Sequence, residues 1–219
     1  MTAWSYSSLT AFETCPRRYE MTRITKVVQE PQSEAMHHGN EVHKALELNV
    51  RDDVPIPQKY KQYIPIVEAV KKAPGEKLAE TKFGLTRDLK PTGYFAKDVW
   101  VRGVLDLTVL QGETAVVLDW KTGKPKSDPS QLELFAGAAF AVYPEVKTVR
   151  SGFVWLGFNQ LDQHTYTRGQ SPEIWSGFER RVHRMNLASA EGHYPPKPSG
   201  LCRAWCPVPN KLCEFSGKH

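Results

Sequence analysis

Asp119 and Lys121 stand two residues apart at the end of the apolar run "VLDWKTG". Side chains alternate along a strand, so the acid and the amine project to one face while Trp120 points to the other. A bare carboxylate and a bare ammonium are costly to bury unless they meet each other or a ligand. An isolated Asp-x-Lys is ordinarily just an ion pair. Here "RGVLD" places Asp106 on the preceding strand, and a hairpin turning at Gln111-Gly112 brings Asp106 near Asp119. Adjacent carboxylates raise each other's pKa unless a cation lies between them. A hard divalent ion takes one or two carboxylates, water and substrate phosphate, with a lysine to hold phosphate or orient the attacking water. That is the requirement of metal-assisted phosphodiester hydrolysis. Glu80 in "LAETKFGL" and His43 in "GNEVHKALE" are two further groups that could join, and Gln131 opens the next helical stretch.

The elements that must position these groups follow from periodicity. Helices are expected over Ser5–Thr14, ended by Pro16, and over Ser33–Leu48. Another is expected over Tyr60–Lys72, entered or bent at Pro65. "KLAETKFGLTRDL", "DVWVRGVLDLTVL" and "ETAVVLDWKTG" alternate and read as an antiparallel meander. Ser130–Tyr143 is a helix with an apolar face of Leu132, Phe135, Ala136, Ala139, Phe140 and Tyr143. Two more strands, "VRSGFVWLGFN" and "QHTYTR", precede a long helix over Ser171–Gly192 with proline in its first turn. The order predicts a mixed α/β fold, a central sheet flanked by helices.

The chain has 219 residues, 40% apolar, and a net charge of +5, compatible with a polyanionic partner without requiring one. No apolar run approaches the roughly 18 residues of a membrane span, and the N-terminus has no signal-peptide core. A cytoplasmic protein is expected, with no membrane association. Cys15 stands near the start, and Cys202, Cys206 and Cys213 crowd a proline-rich end. In a reducing compartment this distribution points to a metal or cluster rather than a disulfide framework.

In order, "CPRRYE", "GNEVH", Glu80, "GVLD", "DWKTGK" and "QLELF" resemble the RecB-like branch of the PD-(D/E)XK nuclease superfamily. That branch includes nuclease domains of recombination helicase-nucleases, CRISPR adaptation nucleases and phage exonucleases. The resemblance implies a restriction-endonuclease-like core over about residues 33–192 of a single domain, with cysteine-bearing ends at 1–20 and 195–219. It implies a metal-dependent DNA nuclease, an exonuclease of phage or recombination type acting on single strands or single-stranded ends. It further implies Mg²⁺ or Mn²⁺ held by His43, Asp106, Asp119 and the Trp120 carbonyl, Lys121 as catalytic lysine and Glu80 as accessory acid. Gln131, Phe135 and Arg17 would contact DNA. Phe135 stands where the family has tyrosine, and Asp119 where glutamate is common in the wider superfamily.

Some relatives bind a [4Fe-4S] cluster through one upstream and three C-terminal cysteines. Cys15, Cys202, Cys206 and Cys213 have that order with looser spacing, C-x3-C-x6-C, and Zn²⁺ is the rival occupant. No phosphate-binding Gly-x-x-x-x-Gly-Lys motif is present, and the length leaves no room for a helicase motor. The chain is therefore expected to act alone or with a separate recombination or replication partner. The alternatives are a CRISPR adaptation nuclease and a non-catalytic DNA-binding protein on the nuclease fold.

Overall fold

The computed structural model describes residues 3–126 and 128–217. They form two compact units. One runs from Ser33 to Ser176 and holds the sheet; the other combines the chain's ends, up to Gln32 and from Gly177 onward.

The sheet has six strands: β1 (Glu76–Leu85), β2 (Pro91–Thr92), β3 (Val101–Gln111), β4 (Thr114–Lys121), β5 (Thr148–Trp155) and β6 (Gln160–Thr167). Their order is β2-β1-β3-β4-β5-β6. The expected meander is β1-β3-β4. Gln111 pairs with Thr114 across a two-residue loop, and Gly112 supplies the positive φ of 58° that such loops favour at their first position. Only β4 and β5 are parallel, and a parallel pair needs a crossover, here α5 (Ser130–Val142). β2 was not expected: two residues carry no period, and it exists only through pairing with Gly84 and Leu85.

Helices cover both faces. Leu118 and Trp120 of β4 pack with Val42, Ala45 and Leu46 of α3 (Glu34–Asp52), and with Tyr60, Tyr63 and Val67. Val67 belongs to α4 (Ile64–Lys72), and Tyr60 and Tyr63 to the 3₁₀ turn Gln58–Tyr63 before it, with Pro65 in the first turn of α4. The alternate β4 residues Asp119 and Lys121 reach Gln131 of α5 instead. α5 is buried on nearly every side, including Leu132, Leu134 and everything from Phe135 to Phe140, so one apolar face understates it. A Cβ on Gly137 would lie 3.1 Å from the Trp175 ring, so glycine admits the indole there.

α3 is N-capped by Ser33, which accepts the Met36 N–H at 3.2 Å. It runs past the expected Leu48 end to Asp52. Asp53 then adopts φ 55° and stops it, a left-handed cap that aspartate tolerates but does not announce in sequence.

In the second unit Ser5 caps α1 (Tyr6–Thr14) through a capping box with Ser8. Pro16 ends α1 as expected, but it also opens α2 (Pro16–Tyr19), because proline suits a first helical turn. α6 (Ser171–Glu191) begins in the sheet unit and continues into this one. There Trp4 stacks on Phe178 at 5.6 Å, and Arg181 donates to both oxygens of Glu13 at 2.8 and 2.7 Å. Lys197, in the proline-rich tail, donates to the Glu13 carbonyl at 2.7 Å. The short helix α7 (Leu201–Ala204) follows. Among the described residues no helix is long and apolar enough to cross a membrane.

Candidate active site

The β3–β4 ladder ends at Leu107 and Leu118, and Asp106 and Asp119 are the next residues on each strand. Where the ladder stops, Trp120 loses a carbonyl partner and the Asp106 side chain replaces it, Oδ2 accepting the Trp120 N–H at 2.9 Å. On the other side of β3, Ala79 pairs with Leu107 and Thr81 with Leu105, while Glu80, opposite Asp106, drops out of the ladder. Glu80 has φ 51°, a left-handed conformation that is unfavourable for glutamate and that clusters at functional sites.

His43 arrives from α3, with Nδ1 3.1 Å from Asp106 Oδ2. Gly39 lies one turn earlier, and a Cβ there would stand 3.3 Å from Thr122 Oγ1, so glycine eases the approach of α3 to the end of β4. His43, Glu80 and Asp106 each offer a ligand atom within 4.8 Å of the others, the single such group of three among the described residues. Burial opposes charge on His43. The Asp106 hydrogen bond and charge, the Asp119 charge and a hydrogen bond with the Trp120 backbone outweigh it and raise the pKa. Burial, then the charges of Asp106 and Glu47, raise that of Glu80. Glu47 lines the same concavity, one helical turn beyond His43. The sequence reading missed it, although the spacing Gly39–His43–Glu47 marks one helix face.

Asp119, only 4% exposed, belongs to an adjoining arrangement. Its Oδ1 accepts from Gln131 Nε2 at 3.3 Å, and Lys121 Nζ donates to Gln131 Oε1 at 3.1 Å. Nζ also lies 2.5 Å from Asp119 Oδ2, so the Lys121 ammonium is the partner of this buried oxygen. Burial first and the Asp106 charge second push the Asp119 pKa up from 3.8 to about 7, against the pull of Lys121 and His43. Lys121 Nζ sits 5.0 Å from the Phe153 ring centroid.

This donor set fits a hard divalent cation. One imidazole and two carboxylates, those of His43, Glu80 and Asp106, converge, and the buried Asp119 carboxylate lies close enough to Asp106 and His43 to feel their charges. Of the residues read from the sequence as ligands, His43 and Asp106 lie together, with Glu80 as the third member of their group, while Asp119 is held beside Lys121 and Gln131. Phe135 is buried at 4%, on the same helix as Gln131.

Arg17 lies in the other unit, 3.6 Å from Glu20. With Arg18 it lines a small concavity that also contains Cys15, Cys202, Cys206 and Cys213. All four thiols are free of disulfides. No three of their sulfurs converge within 4.8 Å. The Ser199 N–H points at Cys202 Sγ at 3.3 Å. Burial, with Cys202 and Cys15 nearby, raises the Cys206 pKa against the Val208 backbone and Arg18.

No curated protein sequence matches the chain. Among solved structures, a candidate exonuclease from Eubacterium rectale superposes with a TM-score of 0.55 at 14% identity, over 91% of this chain and 85% of its own. At that identity the likeness speaks for the fold alone. SSO0001 superposes with a TM-score of 0.43 at 12% identity, over 83% of this chain and 75% of its own, too distant to carry weight. The family profile of the PD-(D/E)XK nuclease superfamily matches residues 3–214. With a mixed sheet flanked by helices and the acids at the end of a central hairpin, the chain belongs to the PD-(D/E)XK nuclease superfamily.

Proposed function

We propose that this protein hydrolyses DNA phosphodiester bonds from an end, as an exonuclease in DNA processing, using Mg²⁺ or Mn²⁺. The observation that carries the reading is the meeting of Asp106, Asp119 and Lys121 where the β3–β4 ladder stops, with His43 brought to Asp106 by α3. In this reading His43, Asp106, Asp119 and the Trp120 carbonyl hold the ion, and Glu80 adjusts the charge beside it. The ion would neutralise phosphate charge and acidify a water molecule. Lys121, held by Gln131, places its ammonium where charge develops on the phosphate. Gln131 and Arg17 remain the proposed DNA contacts, and Phe135 supports the helix that carries Gln131.

For the cysteines we propose one structural [4Fe-4S] cluster. What supports a shared site is that all four cysteines line one concavity, one from the start of the chain and three from its end; iron and sulfide content against zinc content decides the occupant.

The test is a digestion series on end-labelled single- and double-stranded DNA, linear and circular, with Mg²⁺, Mn²⁺ or EDTA. Ion-dependent loss of linear DNA with circles spared is expected. Cleavage in EDTA, or equal cleavage of circles, refutes the metal or the end requirement respectively. Anaerobically purified protein is expected to contain iron and labile sulfide in equal amounts; one zinc per chain would replace the cluster.

A further inference from the structure

The sheet unit carries a second feature on the strands that bear Glu80 and Asp106. Phe95, in the turn after β2, is 80% exposed, the most exposed large apolar side chain among the described residues. Its ring meets that of Tyr94 edge to face, 4.8 Å between centroids and 81° between planes. The Arg102 guanidinium lies 5.3 Å from each ring centroid, and Lys82 Nζ lies 5.8 Å from that of Tyr94.

Phe95 is not what fastens this turn. The Ala96 N–H donates to Gly93 O at 2.9 Å, Thr92 Oγ1 to Asp98 Oδ1 at 2.9 Å, and Arg102 to Tyr94 O at 3.5 Å. The backbone and polar side chains hold the loop, and the phenyl ring stands in water. An aromatic face flanked by two cations is the arrangement that grips an unpaired nucleotide: the base stacks, and the flanking phosphates meet the cations. Inside a duplex each base is covered on both faces by its neighbours and offers no face to such a ring.

Position strengthens the point. Lys82 is two residues from Glu80 on β1, and Arg102 is four residues from Asp106 on β3, with Gly84 paired to Arg102 and Lys82 to Val104. At about 3.3 Å per residue the cations lie roughly 7 and 13 Å along the strands from the acids, a few nucleotides of an extended chain. We infer that Tyr94, Phe95, Lys82 and Arg102 form a stacking platform for the unpaired strand of the nucleic acid cut at the acid site. This rests on the nuclease reading above and names the form of substrate that it takes.

The test is binding of fluorescein-labelled oligothymidine and of a blunt hairpin duplex, in EDTA so that nothing is cut. Phe95→Ala is expected to weaken oligothymidine binding by about 5- to 100-fold, the range for loss of one stacked base, and to change blunt-duplex binding by less than about twofold. Phe95→Trp is expected to retain affinity and gain fluorescence quenched by the oligonucleotide. Lys82→Gln is expected to reduce the salt slope of binding by about one. Unchanged oligothymidine affinity for Phe95→Ala, or equal weakening toward the blunt duplex, overturns the platform. The two readings fail separately. Quenching of Phe95→Trp in a protein that never hydrolyses DNA leaves the platform and removes the nuclease role; hydrolysis without quenching does the reverse.

Discussion

The acid site and the cysteine-bearing end are built on opposite principles. At the acids the backbone is regular up to the last ladder pair, and apolar packing behind Trp120 and Leu118 holds the strands whether or not the polar groups are content. The polar groups themselves are in conflict, with Asp106 and Asp119 repelling and Glu80 held at φ 51°. At the cysteines the order reverses. Met21, Val28 and Val208 make a cluster of three buried residues, with Cys206 and Cys213 against it, and Trp205 is 74% exposed. Such a tail buries too little to be ordered by packing alone. One region therefore has stability to spend on a strained site, whereas the other needs its side-chain chemistry in order to be stable.

If that contrast holds, the largest effects separate activity from stability. Asp106→Ala and Asp119→Ala are expected to reduce hydrolysis by orders of magnitude, while the thermal midpoint in EDTA stays the same or rises for Asp119→Ala and falls only modestly for Asp106→Ala, which leaves the Trp120 N–H without its acceptor. A fall of the midpoint by many degrees would make the acids structural and break the comparison. Lys121→Ala is expected to lower turnover by about 10²–10³-fold with little change in DNA affinity, the signature of a group that acts on developing charge. Weakened binding at unchanged turnover would make Lys121 a simple phosphate contact.

The cysteines are expected to behave in the opposite way. Cys15→Ala, or Cys→Ala at 202, 206 or 213, should cost about 2–5 kcal/mol in denaturant unfolding, comparable to removing a long-range cross-link. The folded fraction should keep ion-dependent hydrolysis. Full stability without bound metal would show that packing suffices there.

A subtler effect concerns pH. Asp119 carries a folded-state pKa of about 7 against 3.8 as its ordinary value, so the native state binds the extra proton between those limits. Its contribution to stability is then present at low pH and lost as pH rises toward 7, the reverse of a salt-bridged carboxylate. In EDTA, unfolding free energy is expected to fall over that interval, and Asp119→Asn to flatten the profile. Added Mg²⁺ or Mn²⁺ should restore stability at the upper end. The smallest effect is at Glu80: Glu80→Asn, which tolerates a left-handed backbone, is expected to stabilise by about 1 kcal/mol and to slow hydrolysis. Destabilisation by Asn would mean that the strand does not resist this conformation.

Much of the sheet was legible because its signals are local. Alternation identified β1, β3 and β4, Gly112 marked their hairpin, and two-residue spacing placed Asp119 and Lys121 on one face. Hairpin arithmetic likewise brought Asp106 beside Asp119, since an antiparallel register propagates rigidly from its turn. The pairing of Lys121 with Gln131 could not be read this way, because it depends on how α5 crosses back over the sheet. The positive φ of Glu80 was equally hidden, as nothing in "LAETKFGL" asks for it.

The sequence alone determined the kinds of chemistry available: an acid within one strand, an acid and a lysine at the end of the next, a histidine on a helix, and four thiols divided between the two ends of the chain. Residue type and local period are enough for that, because alternation and helical spacing need only neighbouring residues. Only the tertiary structure decided which groups share a site. It set Glu80 with His43 and Asp106, turned Asp119 toward Lys121 and Gln131, and gathered the four cysteines around one concavity. The reason is that such choices depend on where strands stop pairing and on how helices pack, and these are properties of long-range contacts that no local pattern encodes.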